Sequence, residues 1–101
     1  MRITIVVPSY NQAQFLSYTL DSIFNQKYQD IEVIVMDGGS TDGSVDVLKS
    51  YDDSRLYWES KPDNGQSDAI NQGMRQATGD ILAYLNSDDA YLPDAIPYVM
   101  D

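Results

Sequence analysis

Apolar residues recur along the chain with two alternating periods. Ile3-Thr4-Ile5-Val6-Val7 is rich in β-branched residues and predicts a strand, ended by Pro8-Ser9-Tyr10-Asn11. Asn11 is placed to cap a helix on which Phe15, Leu16, Thr19, Leu20, Ile23 and Phe24 fall at helical spacing. Ile31–Met36 predicts a second, buried strand, followed by the turn-rich Asp37-Gly38-Gly39-Ser40-Thr41-Asp42-Gly43 and a short helix carrying Val45, Leu48 and Tyr51 inward. Leu56-Tyr57-Trp58 reads as a weaker third strand and Lys61-Pro62-Asp63-Asn64-Gly65 as a loop. Ser67 is a candidate cap for a third helix with Ile70, Gly73, Met74 and Ala77 on one face, and Gly79 sits where such a helix ends. Ile81–Leu85 is the fourth strand, Asn86-Ser87-Asp88-Asp89 follows it, and Leu92–Met100 is less regular because Pro93 and Pro97 restrict it.

Strands alternating with helices in this way predict an α/β fold: a mainly parallel sheet with helices on both faces, in three layers, joined by right-handed crossovers. A single domain over residues 1–101 is the expected organisation. In a parallel sheet the C-terminal ends of the strands share one edge, and ligands bind outside it. The loops leaving those ends are Pro8–Asn11, Asp37–Gly43, Lys61–Gln66 and Asn86–Asp89, and they hold most of the Gly, Asn and paired Asp residues. A loop of the opposite edge, Thr78-Gly79-Asp80, reads as a plain connector.

Composition narrows the chemistry. Cysteine and histidine are both absent, which removes disulfides, thiolate or imidazole metal ligands and the Ser-His-Asp triad. Acid–base or metal chemistry must rest on carboxylates. Sixteen acidic residues against six basic ones give a formal net charge of −10, which disfavours nucleic acid and anionic membranes as partners. A phosphorylated ligand stays compatible if a divalent cation lies between it and the protein. The apolar run Ile3–Val7 is too short for a signal-peptide core or a membrane span, so a cytoplasmic location is expected.

Each motif carries a bland reading beside a chemical one. Asp88-Asp89, directly after a buried strand, suits a hard divalent ion shared with substrate phosphates, and equally a solvated turn before a helix cap. Asp37, ahead of two glycines, can accept a hydrogen bond from a base or ribose, or cap its own loop. Ser40–Gly43 is better read as a helix entry. Asp63–Asp68 puts amides and carboxylates at a helix start, where an anion can bind, while Asp68 also complements the helix dipole without any ligand. Gly73 within a helix costs about 1 kcal/mol relative to alanine, which predicts a packing or ligand-approach reason. Most of the eight tyrosines read as core or half-buried residues, but Tyr10 lies in a loop of the binding edge. Neither G-x-G-x-x-G nor G-x-x-x-x-G-K-[ST] occurs, so the dinucleotide fingerprint and the P-loop are excluded.

Taken in order, Val7-Pro8-Ser9-Tyr10-Asn11, Glu32–Ser44, Asp63–Gly73 and Gly79-Asp80-Ile81 leading to Leu85–Asp89 resemble the family 2 glycosyltransferases of the Rossmann-like GT-A fold, along the whole chain. The resemblance implies transfer of a sugar, with inversion, from a nucleotide-diphospho-sugar donor (UDP- or dTDP-linked) to an acceptor hydroxyl on a carbohydrate or lipid-linked molecule. It implies that Pro8, Ser9 and Tyr10 line the nucleotide pocket, largely through backbone, and that Asp37 hydrogen-bonds the base. Ser67 and Asp68 would face the nucleotide or donor. Ser87-Asp88-Asp89 matches a reduced metal-binding DXD signature, with Asp88 on the ribose or sugar and Asp89 on a divalent metal, Mn2+ or Mg2+, bridging the diphosphate.

In relatives the acceptor site and the general base lie further along the chain, which places the base beyond Asp101 and makes these residues the donor-binding half of a longer hexosyltransferase, inactive when isolated. Attachment to the inner membrane face would rest with regions outside this chain. The competing reading is a non-catalytic nucleotide-sugar-binding module. A phospho-acceptor signalling domain would need an acidic pair where Pro8-Ser9-Tyr10-Asn11 stands, and a pure interaction domain leaves the polar loops at one edge unexplained.

Overall fold

The computed structural model describes residues 2–85. The expected Asn86–Asp89 loop and the Leu92–Met100 stretch lie outside the described residues. The elements are β1 (Ile3–Ser9), α1 (Ala13–Phe24), β2 (Ile31–Asp37), α2 (Ser44–Lys49), β3 (Leu56–Ser60), α3 (Gln66–Gln76) and β4 (Ile81–Tyr84). They build a parallel sheet of order β3-β2-β1-β4. No described helix is long and apolar enough to cross a membrane.

The alternation of side chains along the strands sorts the core into two layers. Ile3, Ile5 and Val7 of β1 and Ile31, Val33 and Val35 of β2 point to one face and pack with Leu16, Leu20 and Ile23 of α1 and Leu48 of α2. Val6, Ile34 and Met36 point to the other and meet Ala69 of α3, with Met74 and Ala77 against them. Helices therefore cover both faces, as the strand–helix alternation predicts, and each fully buried Val, Leu or Ile contributes about 1.5–3 kcal/mol. Next to Leu48 it is Val47, not the expected Val45, that packs on the core, together with Tyr51. β4 is an edge strand with Ile81, Leu82 and Tyr84 exposed.

β1 runs two residues past its β-branched stretch, through Pro8. The O of Val6 accepts from Leu85 N–H, and the O of Ser9 accepts from Gly38 N–H. Even-numbered residues of β1 thus direct backbone groups toward β4 and odd-numbered ones toward β2. The missing N–H of Pro8 falls on the β4 side, beyond the Val6–Tyr84 register, so it breaks no bond of the β1–β2 ladder. β3 is also longer than expected, ending at Ser60 in register with Asp37.

Capping departs from the expected pattern in three places. Asn11 does not cap α1; it adopts a left-handed backbone, φ 51°, which Asn tolerates, and its Oδ1 accepts Thr41 N–H at 2.9 Å. The helix start is instead capped from the loop after β2: Asp42 Oδ2 accepts Ala13 N–H at 3.0 Å and Ser44 Oγ accepts Gln12 N–H at 3.2 Å. Ser67 is not the cap of α3, which begins one residue earlier, behind Gly65. Asp68, inside the first turn, instead ties down the loop ahead of the helix, accepting Asn64 N–H at 3.0 Å. Gly79 ends no helix, since α3 stops at Gln76; a Cβ on it would meet the Thr4 backbone N at 2.7 Å.

Gly73 shows the packing reason its helical position calls for. A Cβ there would stand 2.5 Å from Val6 Cγ1, inside the buried layer between α3 and the sheet. Gly73→Ala gains about 1 kcal/mol of helix propensity, but overpacking a rigid β-branched neighbour costs about 1–3 kcal/mol. Urea denaturation should find this variant less stable than the parent. The Ser44 hydroxyl, followed by the Ala13 and Ser44 amides, holds the Asp42 carboxyl below the usual carboxylate range. A depressed value means stabilisation that is complete above the unfolded-state pKa and lost as pH falls through the folded-state value. Asp42→Ala should therefore lower the urea midpoint at about pH 7, with the gap to the parent shrinking toward about pH 3.

Candidate functional site

The strand C-termini converge on one edge, and there a cavity of about 680 Å³ opens. Three loops and one helix start form its wall: Pro8, Ser9, Tyr10 and Gln12 from the end of β1, Gly38 after β2, Pro62, Asp63 and Gly65 after β3, and Gln66 and Ala69 of α3. This is the edge at which open parallel sheets bind ligands, beside the reversal of strand order at β1. The lining is mixed. Pro8, Pro62, Tyr10 and Ala69 offer apolar surface, the others offer polar groups, and no Lys or Arg is among them.

Of the residues singled out from sequence, Pro8, Ser9 and Tyr10 line this cavity together. Tyr10 is exposed, whereas Ser9 is 5% exposed and its Oγ has no hydrogen-bond partner among the described residues. A buried hydroxyl left without a partner costs about 1–3 kcal/mol, so Ser9 is held at the cavity wall at some expense to stability.

Asp37 stands behind the wall. It is 2% exposed, and its carboxylate is committed inside the protein. Oδ2 accepts Gly39 N–H at 3.1 Å, Ser40 N–H at 2.8 Å and the Ser60 hydroxyl at 2.8 Å, and Oδ1 accepts the Ser40 hydroxyl at 2.6 Å. The group closes a turn after β2 in which Gly39 takes φ 87°, and ties that turn to the end of β3. Ser40 Oγ in turn accepts Asn11 N–H at 2.8 Å, which couples the turn to the loop after β1.

Ser67 and Asp68 lie on the first turn of α3, whose Gln66 and Ala69 reach the cavity, but they are not part of its lining. The Asn64 N–H, and then the Gln72 amide, hold the Asp68 carboxyl below the usual carboxylate range. Asp88 and Asp89 lie outside the described residues. β4, which carries the chain toward them, runs parallel to β1 and toward the cavity edge. Among the described residues no group of three or more acidic side chains gathers as a metal cage.

Gly38 and Asp63 line the cavity from stretches that the sequence already offers to a ligand, the glycines after Asp37 and the Asp63–Asp68 helix start, whereas Pro62 is a cavity residue that sequence reasoning did not single out. The spacing carried a signal for all three: Pro62-Asp63-Asn64-Gly65 is the loop leaving a parallel strand, and Gly38 directly follows one.

Comparison with known proteins matches this geometry. An uncharacterized glycosyltransferase of Mycobacterium tuberculosis is 38% identical over 98% of this chain and 38% of its own length, and one of Nostoc sp. is 32% identical over the whole chain and 32% of its own length. The chain thus spans roughly a third of the length of these curated relatives. Among solved structures, the mannosyltransferase PcManGT of Pyrobaculum calidifontis, in complex with GDP-Man and Mn2+, superposes with a TM-score of 0.86 at 29% identity, over 99% of this chain and 32% of that one. Staphylococcus aureus TarS, residues 1–349 in complex with UDP-GlcNAc, shares the fold with a TM-score of 0.83 at 24% identity, over 99% of this chain and 30% of that one. The model of glycosyl transferase family 2 matches residues 4–101, and the chain belongs to that family.

Proposed function

We propose that this chain is the donor-binding part of an inverting glycosyltransferase that takes its sugar from a nucleotide diphosphate, UDP or dTDP, and passes it to an acceptor hydroxyl. The observation that carries the reading is the cavity at the strand C-termini, built from the ends of β1, β2 and β3, in a chain of this family. Pro8, Ser9 and Tyr10 hold the nucleotide. Asp37 acts on it through the turn it organises, with Ser67 and Asp68 bordering the donor from the start of α3. Asp88 contacts the ribose or sugar.

In the reaction the acceptor oxygen attacks the anomeric carbon as the nucleotide diphosphate leaves from the opposite face. The acceptor site and the general base belong to the two-thirds of the relatives' length that these residues do not span. Asp89 holds a divalent ion, Mn2+ or Mg2+. Oxygen donors suit such an ion, and phosphate oxygens of the donor would complete its shell. The ion, once bound, neutralises charge growing on the departing diphosphate. Among the described residues no Lys or Arg lines the cavity, and a divalent ion would supply the positive charge that a diphosphate calls for.

Calorimetric titration with UDP, dTDP and GDP, with and without Mn2+, tests the reading. Binding should require the ion, and Asp89→Ala should abolish the ion-dependent part; equal affinity in its absence counts against Asp89 as ligand. Asp37→Ala takes the acceptor away from four donors of Gly39, Ser40 and Ser60 and should destabilise the protein by about 1–3 kcal/mol. It should also weaken nucleotide binding whether or not the ion is present, read by the same titration alongside urea denaturation.

A further inference from the structure

Resting on the donor-binding reading, we infer that Asp63, not Asp37, is the carboxylate that reads the nucleobase, accepting a hydrogen bond from a ring N–H of the uracil, thymine or guanine type. Asp37 is turned away from a ligand: it is buried and bonded to four donors of its own loop and of β3. Asp63 lies in the wall of the same cavity. Its Oδ1 accepts Gly65 N–H at 2.9 Å, which fixes the carboxylate, and its Oδ2 has no hydrogen-bond partner among the described residues.

Gly38 explains how a carboxylate from the loop after β3 comes to stand at the end of β2. A Cβ on residue 38 would lie 3.1 Å from Asp63 Oδ2 and 3.2 Å from Oδ1. The Asp63 carboxylate thus fills the space that a side chain on residue 38 would claim, and the bare backbone there is what admits it. Gly38 takes no left-handed backbone, so its value lies in this vacancy rather than in conformational freedom.

Charge selects which part of the ligand lies against Asp63. An ionised carboxylate only accepts hydrogen bonds and repels phosphate. Among the described residues no cation lines the cavity to offset that repulsion, and Pro8, Pro62, Tyr10 and Ala69 supply surface suited to a flat ring. The neutral base therefore sits here and the diphosphate lies elsewhere. A ring N–H, next to a carbonyl in each of these bases, matches the open acceptor at Asp63 Oδ2 on this wall.

The test is titration of the full chain with UDP and N3-methyl-UDP, and with GDP and N1-methyl-GDP, in Mn2+. For the nucleotide that binds, ring methylation should weaken the parent protein's affinity about tenfold or more, the usual worth of a hydrogen bond to a charged group. Asp63→Asn keeps the acceptor for Gly65 and the shape of the side chain. It should weaken the unmethylated ligand by a similar factor and bring the two ligands to equal affinity. Gly38→Ala, which crowds the carboxylate, should narrow the same ratio. If Asp63→Asn weakens both ligands equally, or leaves the methyl discrimination intact, the residue does not read the base and the inference falls while nucleotide binding stands. If a 2′-deoxy ligand, rather than the methylated one, loses its disadvantage in Asp63→Asn, the partner is ribose and the inference falls likewise. If neither UDP nor GDP binds the parent protein, the donor-binding reading fails and takes this inference with it.

Discussion

A carboxylate removed from water must be met by donors, and the loops at the binding edge are arranged around that demand. Asp37 ends β2 with its side chain buried, and Gly39, Ser40 and Ser60 converge on it. Each bond draws in a different stretch of chain. The amides close the turn after β2, Ser60 brings in the end of β3, and Ser40 passes the constraint to Asn11 and so to the loop after β1. The cavity wall is made from these three segments. A ligand pocket between loops needs such a brace, because loop backbones lack the ladder bonds that hold strands. In this chain Asp37 is thus part of the frame of the site.

Much of this was legible in the order of residues. The four strands and three helices follow from runs of β-branched residues and from apolar positions at helical spacing, and the parallel sheet then decides which loops share an edge. The edge alone points to the loop Pro8–Asn11, and the family resemblance adds Pro8, Ser9 and Tyr10 as its lining. Asp37 is the ambiguous residue, since a base-reading carboxylate and a loop-capping one look alike in sequence. Its burial and its four donors display the loop-bracing side of that pair, and no local pattern could have counted the donor contributed by Ser60, 23 positions away. The helix caps were misplaced for a related reason. Asn11 and Ser67 have the right chemistry at about the right place, but Asp42, from a loop 29 residues distant, supplies the bond to α1.

The turn at the opposite edge reads as a plain connector and is more than that. Glu32 accepts Thr78 N–H at 2.9 Å and the Thr4 hydroxyl at 2.8 Å, and Thr4 Oγ accepts Gly79 N–H at 2.9 Å. With no side chain on Gly79, the turn lies against β1, and β4 enters in register with Ile3. The two edges thus use the same device, a carboxylate and hydroxyls tying a glycine-containing turn to a neighbouring strand. At one edge it fixes where β4 begins. At the other it shapes a wall for a ligand.

The borrowed cap on α1 has a kinetic corollary. A helix whose first turn carries its own cap can nucleate early, whereas the opening amides of α1 find their acceptors at Asp42 and Ser44, after β2. Helix nucleation is the costly step, and an acceptor that arrives only once a distant loop has closed gives it no local help. The start of α1 should therefore consolidate late, after β1 and β2 have zipped together, and the binding edge should be among the last regions of the molecule to set.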